Sequence, residues 1–146
     1  MIKRAIIITL ILNSIILIPV PAGHGYAIMA LFEFISIPSL IQDGIKFGNE
    51  YPYDRGIVII GLISLIGKII LIVSLFQKKI EDKKRQIYTG LSLILIAFIL
   101  VSLGAWEYDL ILFAFTFGSG FFFLAYLGRV IYLMRNVNRA TELKMD

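Results

Sequence analysis

The sequence predicts an all-α integral membrane protein, an antiparallel bundle of four transmembrane helices with both termini in the cytoplasm. Apolar residues make up 59% of the 146 residues and charged residues 16%, whereas soluble domains have about 45–50% and about 25%. The apolar residues form four long runs, and most of the positive charge lies at alternate ends of those runs. This is the pattern of a protein that crosses a membrane several times.

The four runs are long enough for a bilayer, whose hydrocarbon core of about 30 Å needs roughly 20 helical residues. The first run is the shortest and reaches the interface only with the help of residues 19–22. The chain therefore forms one membrane domain, residues 1–146. Its predicted segments are spans at about 5–22, 56–76, 87–106 and 109–134, a cytoplasmic loop at 77–86 and a cytoplasmic tail at 135–146.

The distribution of Lys and Arg sets the orientation of these spans. With the N-terminus inside, ten basic residues lie in cytoplasmic segments and two, Lys46 and Arg55, lie outside. Such a bias in short segments is a strong positive-inside signal and predicts a multi-pass protein of the plasma (inner) membrane. The ten residues are Lys3, Arg4, Lys78, Lys79, Lys83, Lys84, Arg85, Arg135, Arg139 and Lys144.

The apolar segment 26–42, between the first two spans, is not expected to be a fifth crossing. A crossing there would move the basic cluster 78–85 outside and remove the charge bias. Pro38 would interrupt it, and Glu33 and Ser36, three residues apart, form a narrow polar stripe. We interpret the segment as an outer interfacial or re-entrant helix. A true span and an irregular loop are the alternatives.

The first run has a second interpretation as a cleaved secretory signal peptide. A basic start, an apolar stretch and the sequence VPA at 20–22 fit that pattern. Cleavage would leave three spans and an external N-terminus near Gly23. Asn13 and Ser14 favour a retained helix, because polar residues inside a span need a hydrogen-bonding neighbour.

Small residues at helical spacing predict how the spans pack. Helices in lipid associate through close contact of small side chains and through interhelical hydrogen bonds. Such residues recur in the last three spans and predict a compact bundle, and they also permit a homo-oligomer. They are Gly61, Ser64, Gly67 and Ser74, then Gly90, Ala97 and Gly104, then Ala114, Gly118, Ala125 and Gly128.

Lys68 is the charged residue that lies deepest in a span, about 13–14 Å from the cytoplasmic helix end at the usual helical rise. A lysine there costs roughly 2.5–3.5 kcal/mol to insert, so it needs a partner, and Glu33 and Asp109 are the candidate counter-charges. One interpretation is a proton- or anion-responsive site. The other is a lysine that extends to the cytoplasm or donates to nearby hydroxyls. The predicted mid-membrane polar layer comprises Asn13, Ser14, Ser64, Lys68 and Ser119.

A second candidate site lies at the predicted outer face. Aromatic and acidic residues there are typical of an interfacial belt, and Tyr and Trp also dominate protein-binding surfaces. His24, between two glycines, suits ligand binding or pH sensing. The site comprises His24, Glu33, Trp106, Glu107, Tyr108 and Asp109.

Motifs for catalysis are missing from the sequence. The chain has no cysteine and one histidine, which excludes disulfides, thiolate catalysis and zinc–thiolate sites. No GxGxxG, GxxxxGK[ST], HExxH or GxSxG pattern occurs. We therefore expect no catalytic residue, no cofactor and no metal site. No basic face interleaved with aromatics is present, so we expect no nucleic-acid partner.

Three classes of function fit these observations. The leading one is a small non-catalytic plasma-membrane protein that acts through helix–helix and outer-rim contacts, as a protector against a membrane-acting toxin or an accessory subunit. Its partners would be the lipid bilayer and a membrane protein or a second copy of the chain. The first alternative is a small oligomeric channel or transporter with the polar layer around Lys68. The second is a membrane enzyme that acts on a lipid or quinone through His24, Glu33 and Asp109.

Overall fold

A computed structural model describes residues 1–20, 25–43 and 52–142 of the chain. The described part is mostly helical, as the sequence predicts, and has five helices and one two-stranded hairpin. In chain order the elements are α1 (Ile2–Ser14), β1 (Leu17–Val20), β2 (Gly25–Ile28), α2 (Met29–Asp43), α3 (Pro52–Phe76), α4 (Ile80–Tyr108) and α5 (Leu110–Glu142).

Three of the described helices are long and apolar enough to cross a membrane. Their apolar windows are Gly56–Phe76 in α3, Glu81–Glu107 in α4 and Leu110–Asn136 in α5. Two of these helices, α4 and α5, extend beyond the apolar runs at the ends that the sequence predicts to be cytoplasmic. Most of the expected loop 77–86 is the first part of α4, and α5 continues to Glu142. The polar residues in these extensions, mostly Lys, Arg, Glu and Gln, are good helix formers.

The first apolar run departs from the prediction, because residues 5–22 do not form one helix. The helix α1 ends at Ser14, and Leu17–Val20 is a β-strand. Asn13 and Ser14 compete with the helical backbone for hydrogen bonds, and the Ser14 hydroxyl donates to the Leu10 carbonyl at 2.9 Å. Pro19 has no N–H and disfavours helical geometry in the preceding residue.

The hairpin that replaces the end of the expected helix is held on both sides. Its strands are antiparallel, with Leu17 opposite Ile28. The Met29 N–H donates to the Ile16 carbonyl at 2.9 Å, and the Leu17 N–H donates to the Ser119 hydroxyl of α5 at 3.0 Å. Backbone groups that leave a helix in apolar surroundings need such partners.

The segment expected to form an interfacial or re-entrant helix over 26–42 is a strand followed by α2. Phe32 and Ser36 of α2 pack against Gly61 of α3, whereas Glu33 bonds to α3 further towards its C-terminal end. The two helices therefore run antiparallel. Pro38 lies inside α2 and is exposed. The backbone hydrogen bond that proline cannot donate is therefore lost on the side of α2 that faces away from α3.

The long helices pack through the small residues of α3 and α4. A β-carbon at Gly67 would lie 3.0 Å from the Gly90 carbonyl oxygen, so the two backbones are in direct contact. Ala97 of α4 is fully buried. Helices α4 and α5 pack through aromatic rings, with the centroids of Phe98 and Phe123 5.5 Å apart.

The small residues of α5 do not pack as expected. Its buried face carries Thr116, Gly120, Phe123, Leu127 and Val130. The expected packing stripe lies on the opposite, exposed face, and spacing in the sequence cannot tell which face of a helix meets its own bundle. The exposed residues of that stripe are Ala114, Gly118, Ala125 and Gly128.

Two glycine substitutions test this packing. We expect Gly67→Ala to lower the stability of the protein by about 1–3 kcal/mol, because the new methyl group would press on the α4 backbone. We expect Gly118→Ala to be neutral or stabilising, because open space surrounds that position and alanine favours a helix. Thermal unfolding in detergent, followed by circular dichroism, measures both. Equal stability of the two variants would contradict this packing.

Candidate functional site

A cluster of polar side chains lies where α1, α2 and α3 meet. The last two residues of α1 are Asn13 and Ser14, Glu33 is the fifth residue of α2, and Ser64 and Lys68 are one turn apart in the middle of α3. All except the half-buried Ser14 are buried, with an exposed fraction of 7% or less. Lys68 precedes the end of α3 by eight residues, or about 12 Å at the helical rise.

The centre of the cluster is an ion pair. The Lys68 Nζ lies 2.8 Å from Glu33 Oε2 and 2.6 Å from the Ser14 hydroxyl, to which it also donates. The Ser14 hydroxyl in turn donates a hydrogen bond to the Leu10 carbonyl. The ammonium group of α3 thus connects the end of α1 to the start of α2.

The second carboxylate oxygen of Glu33 is also satisfied. The Ser64 hydroxyl lies 2.6 Å from Glu33 Oε1 and 3.1 Å from Asn13 Oδ1. A hydroxyl has one proton to donate, and the charged acceptor at the shorter distance attracts it more strongly. Asn13 Nδ2 is buried and has no hydrogen-bond partner among the described residues. A half-turn of this amide would direct the NH₂ group towards Ser64.

The ends of the two short helices add to the electrostatics of the pair. Lys68 contacts Ser14 at the C-terminus of α1, where the helix dipole is negative, and Glu33 lies near the N-terminus of α2, where the dipole is positive. Both contacts place a charge next to a helix end of opposite partial charge. In apolar surroundings a paired and hydrogen-bonded charge is tolerated, whereas a single charge is costly.

This cluster compensates charge through its ion pair and its hydrogen bonds. A lysine in apolar surroundings can also take part in proton exchange. Oxygen and nitrogen atoms of three neighbouring side chains can follow such a change by turning their hydrogen bonds. In the part of the chain that the structure describes, no three His, Asp or Glu side chains lie close enough to hold a metal ion.

Four of the five residues of the predicted polar layer come together in this cluster, and Ser119 does not. The Ser119 hydroxyl accepts a hydrogen bond from the Leu17 N–H and donates one to the Thr116 carbonyl at 2.9 Å. It therefore supports the chain break from the side of α5, whereas Lys68 supports it from α3. Depth along a helix can be counted in a sequence, but the direction of a side chain around it cannot.

Of the two candidate counter-charges, the structure pairs Glu33 with Lys68. Asp109 instead follows the last turn of α4, and its Oδ1 accepts the Ile111 N–H at 3.0 Å, which caps the start of α5. Glu33 thus belongs to the buried cluster rather than to an outer-face group.

The other predicted outer-face residues form no common site in the described part of the chain. Trp106 is 56% exposed, and its ring packs edge-on against Phe113 with centroids 5.0 Å apart. Glu107 is exposed. His24 and the side chain of Tyr108 lie outside the described residues.

Two buried hydroxyls on the packed faces of α4 and α5, those of Ser102 and Thr116, were not predicted from the sequence. Neither hydroxyl has a hydrogen-bond partner in the described residues. Their positions, 102 and 116, are related by the same antiparallel register that brings Phe98 next to Gly120. The spacing of residues within one helix could not have shown that Ser102 and Thr116 lie at the same height in the bundle. That requires the register between the two helices.

A double-mutant cycle tests the ion pair. We expect Lys68→Met alone to destabilise the protein by about 3 kcal/mol, because it leaves a buried carboxylate unpaired. The double variant with Glu33→Gln should recover most of that loss, because no charge is then buried. Unfolding in detergent provides the four free energies. If the single and double variants are equally unstable, the pair does not couple α2 to α3.

Comparisons with known proteins identify no relative of this chain. No protein-family model, no curated protein and no solved structure matches it. Its function is therefore a question for the chemistry of its own side chains and surfaces, since fold alone does not determine function.

Proposed function

We propose that α1, the hairpin and α2 together form the first of four membrane crossings, with both termini in the cytoplasm. The basic residues Lys3 and Arg4 at the start of α1 support a cytoplasmic N-terminus. The helix α2 runs antiparallel to α3, so that with a cytoplasmic N-terminus α2 would end, and α3 would begin, on the outer side. The three long helices then alternate in direction. This arrangement keeps the basic segment 77–79 inside, in a protein of the plasma membrane.

The protein itself is, in this proposal, a small non-catalytic membrane protein that works by binding another membrane-embedded helix. One observation carries the proposal, the exposed face of α5. In α3, by contrast, all exposed side chains described between 56 and 76 are large and apolar, as lipid contact favours: Ile66, Ile69, Ile72, Val73 and Phe76.

The exposed face of α5 has the features of a helix-docking surface. Four small residues follow one another at helical spacing, among them Ala114 and Gly118, which form the small-xxx-small pattern of close helix contact. Nothing lies within 4 Å of a β-carbon at Gly118 or Gly128. Small residues contribute little on a surface that only meets lipid, whereas they allow the backbone of a partner helix to approach.

A hollow at the start of α5 supports the same surface. It has a volume of about 360 Å³ and is lined by Leu110, Ile111, Ala114 and Phe115. The lining is almost entirely apolar and the hollow is wide open, so it forms an apolar patch that a side chain of a partner can cover. Trp106, exposed next to this end of α5 through its contact with Phe113, extends the surface to the outer rim. An accessory subunit or a protector against a membrane-acting toxin would use such a surface.

Cysteine cross-linking tests the docking surface directly, because the chain has no native cysteine. We expect Gly118→Cys labelled with a maleimide–benzophenone photocross-linker to form a cross-link in native membranes, since the labelled thiol would lie at the contact. The mass of the product distinguishes a second copy of the chain from a different protein. A Gly118→Leu variant should no longer co-purify the protein identified in that product, because the larger side chain prevents close approach.

Ile69→Cys is the matched control, because Ile69 lies on the exposed face of α3 and is 51% exposed. A cross-linking yield at position 118 no greater than at position 69 would reject the docking surface. Retention of the partner by Gly118→Leu would do the same.

The ion pair at the break of the first crossing favours a second candidate function, ion or proton transport. Charged residues inside membrane domains often mark ion pathways, and interrupted helices with ends at mid-membrane form the binding sites of many transporters. Glu33 and Lys68 combine both features. In this candidate the proton of the pair moves while Ser14, Ser64 and Asn13 reorient.

Flux measurements separate the two candidates. Transport predicts proton flux into liposomes that contain the purified protein, and loss of that flux in the folded double variant Glu33→Gln/Lys68→Met. The Gly118→Leu variant serves as the control, because its substitution lies away from the cluster. Absence of flux across about pH 5–8, the range in which physiological switches titrate, would exclude this candidate and leave the docking function untouched.

A further inference from the structure

A groove between α3 and α4 lies where the apolar spans give way to the charged segment at 78–85. Its volume is about 460 Å³, which is within the range of small-molecule sites. The side contributed by α3 is apolar and the side contributed by α4 is polar. The lining residues are Ile69, Ile70, Val73, Gln77, Asp82, Arg85, Gln86 and Thr89.

The two charges of the groove are both free. Asp82 and Arg85 are exposed, and neither forms an ion pair or a side-chain hydrogen bond with any residue in the described part of the chain. They lie three residues apart on α4, so their β-carbons are neighbours at about 5–6 Å. The groove thus presents one anion and one cation side by side.

Further hydrogen-bonding capacity lies next to these charges. The first turn of α4 carries two acidic side chains, Glu81 and Asp82, which favours a cation over an anion at this end of the groove. The Gln86 Oε1 atom is buried and has no partner among the residues described. A turn of its amide would bring a hydrogen-bond acceptor to the groove.

The apolar part of the groove continues onto the exposed surface of α3. Ile69 is 51% exposed and Val73 is 49% exposed, one helical turn apart on the side that faces away from the core. A hydrocarbon chain can lie over these two side chains while a polar group occupies the α4 end. Charged side chains at one end and an apolar surface at the other match the headgroup and the acyl chains of a phospholipid.

We propose that this groove binds a phospholipid whose headgroup carries a phosphate and a primary ammonium, that is, phosphatidylethanolamine. The phosphate contacts Arg85, and the ammonium donates to Asp82 and Gln86. Two carbons separate the two headgroup charges, which suits two side chains one turn apart. Phosphatidylcholine has the same charges but no N–H donor, and phosphatidylglycerol has no cation for Asp82.

This site is separate from the docking surface on α5 and holds whether or not that surface binds a partner. General attraction to anionic lipid is a different effect, which the neighbouring Lys78, Lys79, Lys83 and Lys84 would produce with any acidic headgroup. Selectivity for ethanolamine over choline requires Asp82 of the groove.

Native mass spectrometry of the purified protein tests the proposal. The protein is titrated in detergent with phosphatidylethanolamine, phosphatidylcholine and phosphatidylglycerol of identical acyl chains, and the lipid-bound fraction is measured. We expect about fivefold tighter binding of the ethanolamine lipid than of the choline lipid, which corresponds to the net contribution of about one hydrogen bond. Asp82→Asn should reduce this ratio to about one, whereas Arg85→Gln should weaken the binding of both lipids and leave the ratio unchanged, because both carry the phosphate.

Glu81→Gln and Lys84→Gln are matched controls, because they make the same charge changes on α4 outside the groove lining, and they should keep the preference. Circular dichroism confirms that each variant is folded. Equal binding of the ethanolamine and choline lipids would overturn the proposal. So would strongest binding of phosphatidylglycerol together with a preference that survives Asp82→Asn, since general attraction would then account for the binding.

Discussion

A polypeptide that leaves the helical conformation in apolar surroundings has to find new partners for its backbone N–H and C=O groups. The first half of this protein is organised around that constraint. After Ser14 the chain forms a hairpin, and its free backbone groups are satisfied by pairing between the strands, by the link from Met29 to Ile16 and by the hydroxyl of Ser119. Ser119 of α5 thus supports the break, and Lys68 of α3 adds a hydrogen bond to Ser14 at the end of α1.

The ion pair of Glu33 and Lys68 belongs to the same solution. Each charge alone would be expensive in an apolar environment, but the pair, with two hydroxyls and the ends of two short helices, is locally compensated. Close packing could attach α2 to α3 without charges, as it attaches α4 to α3 through Gly67 and Gly90. What the charges add is register, because after a one-turn slip of α2 Glu33 could no longer bond to Ser64 and Lys68 at the same time.

Much of this architecture could be predicted from the sequence, and the limits have physical causes. Length and hydropathy indicate α3, α4 and α5. A lysine within an apolar run needs a counter-charge, and this requirement makes Glu33 a candidate partner of Lys68. The hairpin could not be predicted, because the strand Leu17–Val20 is too short for its periodicity to differ from that of a helix. Pro19 was the signal against a continuous span.

The placement of Ser119 and of the α5 stripe marks a second limit. Counting residues gives the depth of a side chain along its helix, and spacing gives the face that it shares with others. Neither gives the neighbour that this face meets, because that depends on contacts between segments far apart in the chain. Hence Ser119 supports β1 rather than Lys68, and Gly118 lies outward whereas Gly120 packs on Phe98.

In the proposed topology the first crossing is divided between two short helices, and this division has a consequence for biosynthesis. Neither the 13 residues of α1 nor the 15 residues of α2 would span a bilayer alone, and α2 carries an acidic side chain that lipid rejects. Both segments leave the ribosome before α3. In that topology their stable integration would wait for Lys68 to be synthesised, and the first half of the chain would enter the membrane as one cooperative unit rather than helix by helix.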